Sequence, residues 1–116
     1  MKTNVSTGNS LPDMNDETLI RMVLSGREDA CTVLVHRYDR LLRSLLRRYL
    51  QDPEAIQEVV QDTFVRAFRA LPGFRGDSKF STWLSRIAIS QAVSRLRSKR
   101  HAAWTPLEDA QIHRVS

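Results

Sequence analysis

The segment "QDPEAIQEVVQDTFVRAFRALPGF", residues 51–74, contains the signals of a complete α-helix. Asp52 can cap the helix, Pro53 suits its first turn, and "LPGF" at residues 71–74 ends it. Between these signals the apolar residues recur at intervals of three and four, which is typical of one helix face. They are Ile56, Val59, Val60, Phe64, Ala67, Phe68 and Leu71. The segment therefore predicts an amphipathic helix that packs against other helices.

The sequence on both sides of this segment predicts further helices. "NDETLIRMVLSG", residues 15–26, predicts a short helix that Asn15 or Asp16 caps and Gly26 ends. Residues 28–50 and 81–100 predict two longer helices. Their expected apolar positions are 34, 38, 41, 45 and 49, with 42, 46 and 50 beside them, and then 84, 87, 88 and 96. Because no segment alternates as a strand does, the prediction is an all-α fold, a compact bundle of four to five helices.

The size and composition predict one domain with short extensions at both ends. A chain of 116 residues is long enough for a single core. Residues 1–14 are polar and contain Gly8 and Pro12, which predicts a flexible tail. Residues 102–116 contain Pro106 and mixed charge, which predicts the start of a linker. The helical domain is thus expected at residues 15–101.

Several features indicate a cytoplasmic protein. No apolar run approaches the ~20 residues that cross a bilayer, so no membrane insertion is expected. The first residues lack the apolar centre and the cleavage site of a signal peptide. The single cysteine, Cys31, has no partner for an internal disulfide and lies in an apolar run, so we expect it in the core.

Positive charge is concentrated in the second half of the chain. Residues 63–101 hold nine basic residues and one acid, a net charge of +8, whereas the rest of the chain carries −3. This asymmetry favours a polyanion on one surface and a protein on another. The alternative is a solvated basic face without a partner.

The residues with chemically useful side chains do not form the pattern of an enzyme. The three histidines are scattered, and neither a metal-ligand spacing nor a glycine-rich phosphate loop is present. Glu54, Glu58 and Asp62 recur every four residues, which puts three carboxylates on one helix face. A metal would need ligands from a second helix, so a partner-facing acidic face is favoured, with Asp62 paired to Arg66. We predict no catalytic activity, no cofactor and no metal.

The last predicted helix carries a polar stripe suited to nucleic acid. Its members are spaced by four, four, three and four residues: Arg86, Ser90, Ser94, Arg97 and His101. Arginines separated by small hydroxyl groups suit a phosphate backbone that lies close to a helix. Arg95, Lys99 and Arg100 widen the positive end.

The loop before this helix, "GFRGDSKFSTWL" at residues 73–84, places aromatic residues beside cations. This combination is typical of surfaces that bind single-stranded nucleic acid, because bases stack while phosphates pair with the cations. Phe80 and Trp83 are expected to anchor the loop in the core. Phe74 suits either a core role or a contact with a base.

Two stretches of the sequence resemble a known family. "VVQDTFVRAFRALPGFRGDSKFSTWLSRIAIS", residues 59–90, resembles region 2 of bacterial RNA polymerase sigma factors of the extracytoplasmic-function (ECF) branch. "SGREDACTVLVHRYDRLLRSLLRRYL", residues 25–50, resembles the segment that precedes it in that family. The likeness covers about residues 16–101, and "QDTF" followed by "FRGDSKFSTWL" is its most specific part.

The resemblance implies two interfaces. The acidic helix of the family docks on the clamp helices of the largest subunit of RNA polymerase, which here implies Glu58, Gln61, Asp62 and Arg66. The following loop and helix of the family capture a flipped base of the non-template strand in the promoter −10 element, so that the promoter melts and transcription starts. The implied base pocket is Ala70, Leu71, Phe74, Ile87 and Ser90. The implied backbone contacts are Arg75, Lys79, Arg86, Ser94 and Arg97.

Some positions depart from the family pattern. Ser90 stands where relatives often have asparagine, which leaves the identity of the captured base open, and Cys31 stands at a commonly aromatic position. The family also carries a second domain for the −35 element after a linker. This chain is therefore either one domain of a longer factor, which we favour, or a shortened factor, and we expect it to bind duplex promoter DNA poorly by itself.

Two other readings of the same residues stay open. One is a stand-alone basic helical module that binds nucleic acid without RNA polymerase. The other is a protein-interaction module that an anti-sigma factor binds, and such a factor is also a predicted partner under the main interpretation.

Overall fold

A computed structural model describes residues 11–104, with side chains described as far as Arg100. This part of the chain contains four α-helices and no strand, which confirms the predicted all-α class. The helices are α1 (Asp16–Leu24), α2 (Glu28–Leu46), α3 (Pro53–Ala70) and α4 (Phe80–Trp104). Single 3₁₀ turns, Leu11–Asp13 and Leu71–Gly73, precede α1 and follow α3. None of the described helices is long and apolar enough to cross a membrane.

The helix boundaries follow the predicted capping residues. The Asn15 side chain accepts a hydrogen bond from the Thr18 amide at 2.9 Å, and Asp52 accepts one from the Glu54 amide at 3.1 Å. Each bond satisfies an amide that the first turn of a helix leaves without a partner. Gly26 follows α1 with φ of +100°, a backbone conformation that a side chain disfavours. The predicted caps of α1 and α3 are therefore confirmed.

The core lies between the four helices, and α4 packs mainly along α3. The α3 face predicted from spacing is buried, apart from the half-buried Phe68. In α4 the buried positions Leu84 and Ala88 continue to Ala92, which the sequence pattern had not included. The fully buried large side chains are Leu19, Leu34, Leu42, Leu46, Leu71, Leu84 and Thr63.

The buried face of α2 is shifted from the centre of the expected one. Leu34 is buried as expected, and so are Leu42, Leu46 and Leu50, which were expected beside that face, whereas Leu41 remains 45% exposed. The helix also ends at Leu46, and the Leu50 amide donates to the Leu46 carbonyl at 2.8 Å as the chain turns towards α3. Because leucines occur as adjacent pairs along α2, their spacing fits two neighbouring faces equally well. Packing against α3 and α4 selects one of these faces.

Two further expectations, one for Cys31 and one for the N-terminal tail, were wrong. Cys31 is half-buried rather than in the core, and its partial burial and the nearby Glu28 and Asp29 carboxylates raise the pKa of its thiol. Residues 11–14 do not form a free tail, because Leu11 and Met14 pack against the core. The remainder of the predicted tail, residues 1–10, lies outside the described residues.

Candidate nucleic-acid and protein interfaces

An aromatic cluster holds the loop between α3 and α4 against the helices. The ring centroids of Phe74 and Trp83 are 4.8 Å apart, and those of Phe80 and Trp83 are 5.7 Å apart. Phe80 is 4% exposed and also contacts Tyr38 of α2 edge-on, so its predicted role as a core anchor is confirmed. Trp83 and Phe74 are only half-buried, and each presents part of its ring to the surface. The loop is therefore fixed by rings that remain accessible at its rim.

A depression of about 400 Å³ opens where the end of α3 faces the first turns of α4. Three residues of the predicted base pocket, Ala70, Ile87 and Ser90, line it. The other lining residues are Arg66, Trp83, Arg86 and Gln91. The site thus combines an apolar floor with hydroxyl, amide and guanidinium groups, a mixture of apolar and polar lining that ligand pockets share.

The other two residues of the predicted base pocket lie elsewhere. Leu71 is 1% exposed, so its side chain belongs to the core and lies outside the depression. Phe74 lines a separate groove of about 760 Å³ on the loop side, together with Arg75 and Lys79. The 3₁₀ turn after α3 keeps Leu71 and Phe74 away from the depression, which spacing along the chain did not reveal. The predicted pocket therefore divides into two sites around Trp83.

The groove on the loop side is bounded by α1. Asp16 and Tyr38 line it, and the Tyr38 hydroxyl donates a hydrogen bond to the Asp16 carboxylate. Burial and this hydrogen bond raise the pKa of Tyr38, so the phenol stays protonated. Arg37 also pairs with Asp16 at 2.8 Å, which ties the start of α1 to α2. This groove therefore has a fixed aromatic wall with two loop cations at its edge.

The predicted backbone contacts on α4 form a continuous exposed stripe. Arg86, Ser90, Ser94 and Arg97 all lie on the surface. With 100° of rotation per residue, they fall within about 80° of each other around the helix. Neither arginine forms an ion pair within the described part of the chain, so both charges are available to a ligand. His101, the last predicted member, has no described side chain.

The outer face of α3 carries the residues predicted to bind RNA polymerase. Glu58, Gln61 and Asp62 are exposed there. Val65, one turn after Gln61, is 48% exposed on the same face, and sequence reasoning did not select it. Val65 follows Gln61 by four residues and Asp62 by three, so the helical spacing of the sequence already places it on this face.

The ion pairs of α3 differ from the expected one. Within the described residues Asp62 and Arg66 form no ion pair, whereas Glu58 pairs with Arg95 of α4 at 2.8 Å. Both partners are more than one-third exposed, so the pair contributes little to stability. Arg66 instead lines the depression beside Arg86. Arg66 thus lies at the boundary between the acidic face of α3 and the basic surface of α4.

The described residues hold no cluster of three or more histidine, cysteine or carboxylate side chains arranged for a metal. The three carboxylates Glu54, Glu58 and Asp62 are all exposed. The described surface therefore has a cationic and aromatic face on one side and an acidic face on the other.

Comparison with known proteins gives consistent matches. The family model described as Sigma-70 region 2 matches residues 34–102. The ECF RNA polymerase sigma-E factor of Escherichia coli (strain K12) is 42% identical over 83 residues, which are 72% of this chain and 43% of that protein. The RNA polymerase sigma-H factor of Pseudomonas aeruginosa is 41% identical over 86 residues, 74% of this chain and 45% of that protein. The chain spans less than half the length of these curated relatives.

Two solved structures share the fold. One is the NMR structure of an engineered region 2 of sigmaE in complex with GTAAAA, with a TM-score of 0.72 and 36% identity. The match covers 79% of this chain and 96% of that one. The other is CnrH in complex with the cytosolic domain of CnrY, with a TM-score of 0.61 and 32% identity over 76% of this chain and 62% of that one.

Proposed function

Since the chain belongs to the family of sigma-70 region 2 domains, we propose that it is the part of an ECF sigma factor that docks on core RNA polymerase and opens the promoter −10 element. This membership confirms the resemblance found in the sequence. In this proposal one domain works in the cytoplasm and catalyses no reaction. Within residues 102–116, the part that follows the end of α4 at Trp104 is the start of a linker to a second domain.

The depression between α3 and α4 carries this proposal. Its lining residues Ala70, Ile87 and Ser90 provide an apolar floor and one hydroxyl group, and Arg66 and Arg86 stand at its rim. The exposed stripe of α4 begins at the same rim. A base in the depression would therefore leave its own backbone beside Arg86, and the following phosphates beside Ser94 and Arg97. The complex of an engineered region 2 of sigmaE with GTAAAA supports a ligand of this class.

Opening of the promoter would follow from differential binding. Extruding a base from a duplex costs a few kcal/mol, which the pocket must return. Because only the open strand can place a base in the depression, the chain binds the open form more tightly and shifts the population towards it. We assign Phe74, Arg75 and Lys79, which line the loop-side groove, to the strand next to the captured base. Leu71 supports this site from within the core.

A set of single-stranded oligonucleotides tests the proposed pocket. We expect the chain, with core RNA polymerase present, to bind GTAAAA and its single-base variants with different affinities in fluorescence anisotropy. Replacing Ser90 with alanine should change the ratio of affinities between bases by about fivefold, because one hydrogen bond contributes about 1 kcal/mol. Replacing Ser94 with alanine is the matched control and should weaken all the oligonucleotides alike. Affinities that are indifferent to the base and to polymerase would favour the stand-alone basic module instead.

The salt dependence of binding tests the phosphate contact of Arg86. Each phosphate contact on a single strand contributes about 0.7 to the slope of log K against log salt concentration. We expect Arg86→Gln to reduce this slope by about that amount for every oligonucleotide, without changing the base preference. Arg40 on α2 is exposed and outside any described ion pair, so Arg40→Gln serves as the control. Equal slopes for the wild type and Arg86→Gln would remove Arg86 from the interface.

We also propose that a protein of the anti-sigma class binds this chain. The similarity to CnrH, which was solved with the cytosolic domain of CnrY, supports this partner. The exposed Val65 on the acidic face of α3 offers an apolar contact of the kind that a protein uses. Co-purification of the chain with proteins from its own cells, and loss of a partner on Val65→Glu, would test it. A partner that survives this change would bind elsewhere.

A further inference from the structure

A third concave surface lies at the opposite end of the bundle from the loop. It is a groove of about 900 Å³ between the α2–α3 turn and the last described turns of α4. Its floor is apolar, since Leu50 and Ala55 are 6% and 7% exposed and Leu96 is half-buried. The groove residues from the turn are Tyr49, Leu50, Gln51, Asp52 and Ala55, and those from α4 are Arg95, Leu96, Ser98, Lys99 and Arg100. We refer to it as the terminal groove.

The terminal groove is distinct from the proposed DNA stripe. Arg95 and Lys99 lie roughly 140–180° around α4 from the centre of the stripe formed by Arg86, Ser90, Ser94 and Arg97, whereas Arg100 lies about 80° from it. A strand that follows the stripe therefore does not reach Arg95 or Lys99. Arg95 is engaged by Glu58, but neither Lys99 nor Arg100 forms an ion pair within the described residues. The groove thus offers two cations, Lys99 and Arg100, that have no ion-pair partner among the described residues, above an apolar floor.

These properties define the chemistry of a matching ligand. A phosphate backbone would use the cations but would leave the apolar floor without a partner. A short polypeptide with apolar side chains beside carboxylates would use both. The chain contains such a segment, because residues 107–112 read "LEDAQI". Glu108 and Asp109 are the only acids in the sequence after Asp77, and Leu107 and Ile112 flank them.

Residues 107–112 are also close enough along the chain to reach the terminal groove. From Ser98 to the end of α4 at Trp104 the helix rises about 9 Å, whereas three extended residues span up to about 11 Å. Pro106 disfavours a helical conformation at the residue before it, which allows the chain to reverse there. Since both groups belong to one chain, their effective concentration is about millimolar even for a flexible connection.

We propose that the terminal groove binds residues 107–112 of the same chain, with Glu108 and Asp109 beside Lys99 and Arg100 and the apolar side chains on Leu50 and Leu96. This contact neutralises part of the positive end of α4.

Paramagnetic relaxation in the full 116-residue chain tests this contact without DNA or polymerase. A nitroxide is attached at Ala110→Cys in a Cys31→Ser background. We expect the amide signals of Gln51 and Asp52, which are distant from the label in sequence, to lose at least half of their intensity. The double change Lys99→Glu and Arg100→Glu should restore these signals. Adding Glu108→Lys and Asp109→Lys to that variant should broaden them again, because the charges are then exchanged.

One control variant and three alternative outcomes distinguish residues 107–112 from other possible occupants of the terminal groove. Arg47→Glu with Arg48→Glu changes two exposed cations that do not line the groove, and it should leave the broadening intact. Broadening confined to the residues next to the label would overturn the proposal. Broadening that arises only between labelled and unlabelled molecules in a mixture would show a second copy as the occupant. Shifts of Gln51 and Asp52 on addition of duplex DNA, without broadening by the label, would show nucleic acid there.

Discussion

Replacing Asp62 with arginine is expected to weaken the binding of this chain to core RNA polymerase about a hundredfold. Asp62 is the last of the three exposed acids along α3 and forms no ion pair within the described residues, so its replacement should leave the fold intact. In the proposed complex the new cation would face a surface that is complementary to an acid. Like charges placed together at an interface cost several kcal/mol, and a hundredfold change corresponds to about 2.8 kcal/mol.

Anisotropy of the labelled chain, titrated with core polymerase at about 150 mM salt, measures this effect. The matched control is Glu17→Arg, which reverses an exposed acid on α1. Glu17→Arg should change the affinity less than threefold. If both variants bind equally weakly, overall charge rather than the α3 face governs the association. If both bind as the wild type does, the acidic face has no role in docking.

The acidic face shows what spacing along one helix can predict. Glu58, Gln61 and Asp62 were placed on one exposed face correctly, because that placement depends only on the helical period. Their ion pairs were not predicted correctly, since Glu58 reaches Arg95 on a neighbouring helix. The Glu58–Arg95 ion pair depends on how α3 and α4 cross. The sequence of either helix alone does not determine that crossing. The same crossing brings Arg66 to the depression beside Arg86.

The candidate base pocket shows a similar limit. Ala70, Ile87 and Ser90 come together as the resemblance implied, although their function in base capture stays a prediction. Leu71 and Phe74 do not join them, because the 3₁₀ turn at Leu71–Gly73 buries the first and turns the second towards the loop-side groove. Trp83 and Gln91 also line the depression, although Trp83 was expected only as a core anchor and Gln91 was given no role. Gln91 follows Ser90 directly, and its amide was not recognised as part of the polar stripe.

Replacing Leu84 with alanine is expected to lower the free energy of unfolding by about 3 kcal/mol. Leu84 is fully buried in α4, one turn after Phe80, and its truncation removes apolar contacts and leaves a cavity. Such changes typically cost 2–5 kcal/mol, which is a large part of the about 5–15 kcal/mol that stabilises a domain. Urea denaturation followed by circular dichroism would show a lower midpoint with an unchanged slope.

Leu41→Ala provides the matched control, because it removes the same atoms from a side chain that is 45% exposed. We expect it to cost less than about 1 kcal/mol, since surface substitutions leave little cavity. The comparison also tests which face of α2 is buried. Spacing along the sequence favoured Leu41, whereas the structure buries Leu42 and Leu46. A loss for Leu41→Ala as large as that for Leu84→Ala would mean that α2 packs through the face predicted from spacing, and the described core would then be wrong at this helix.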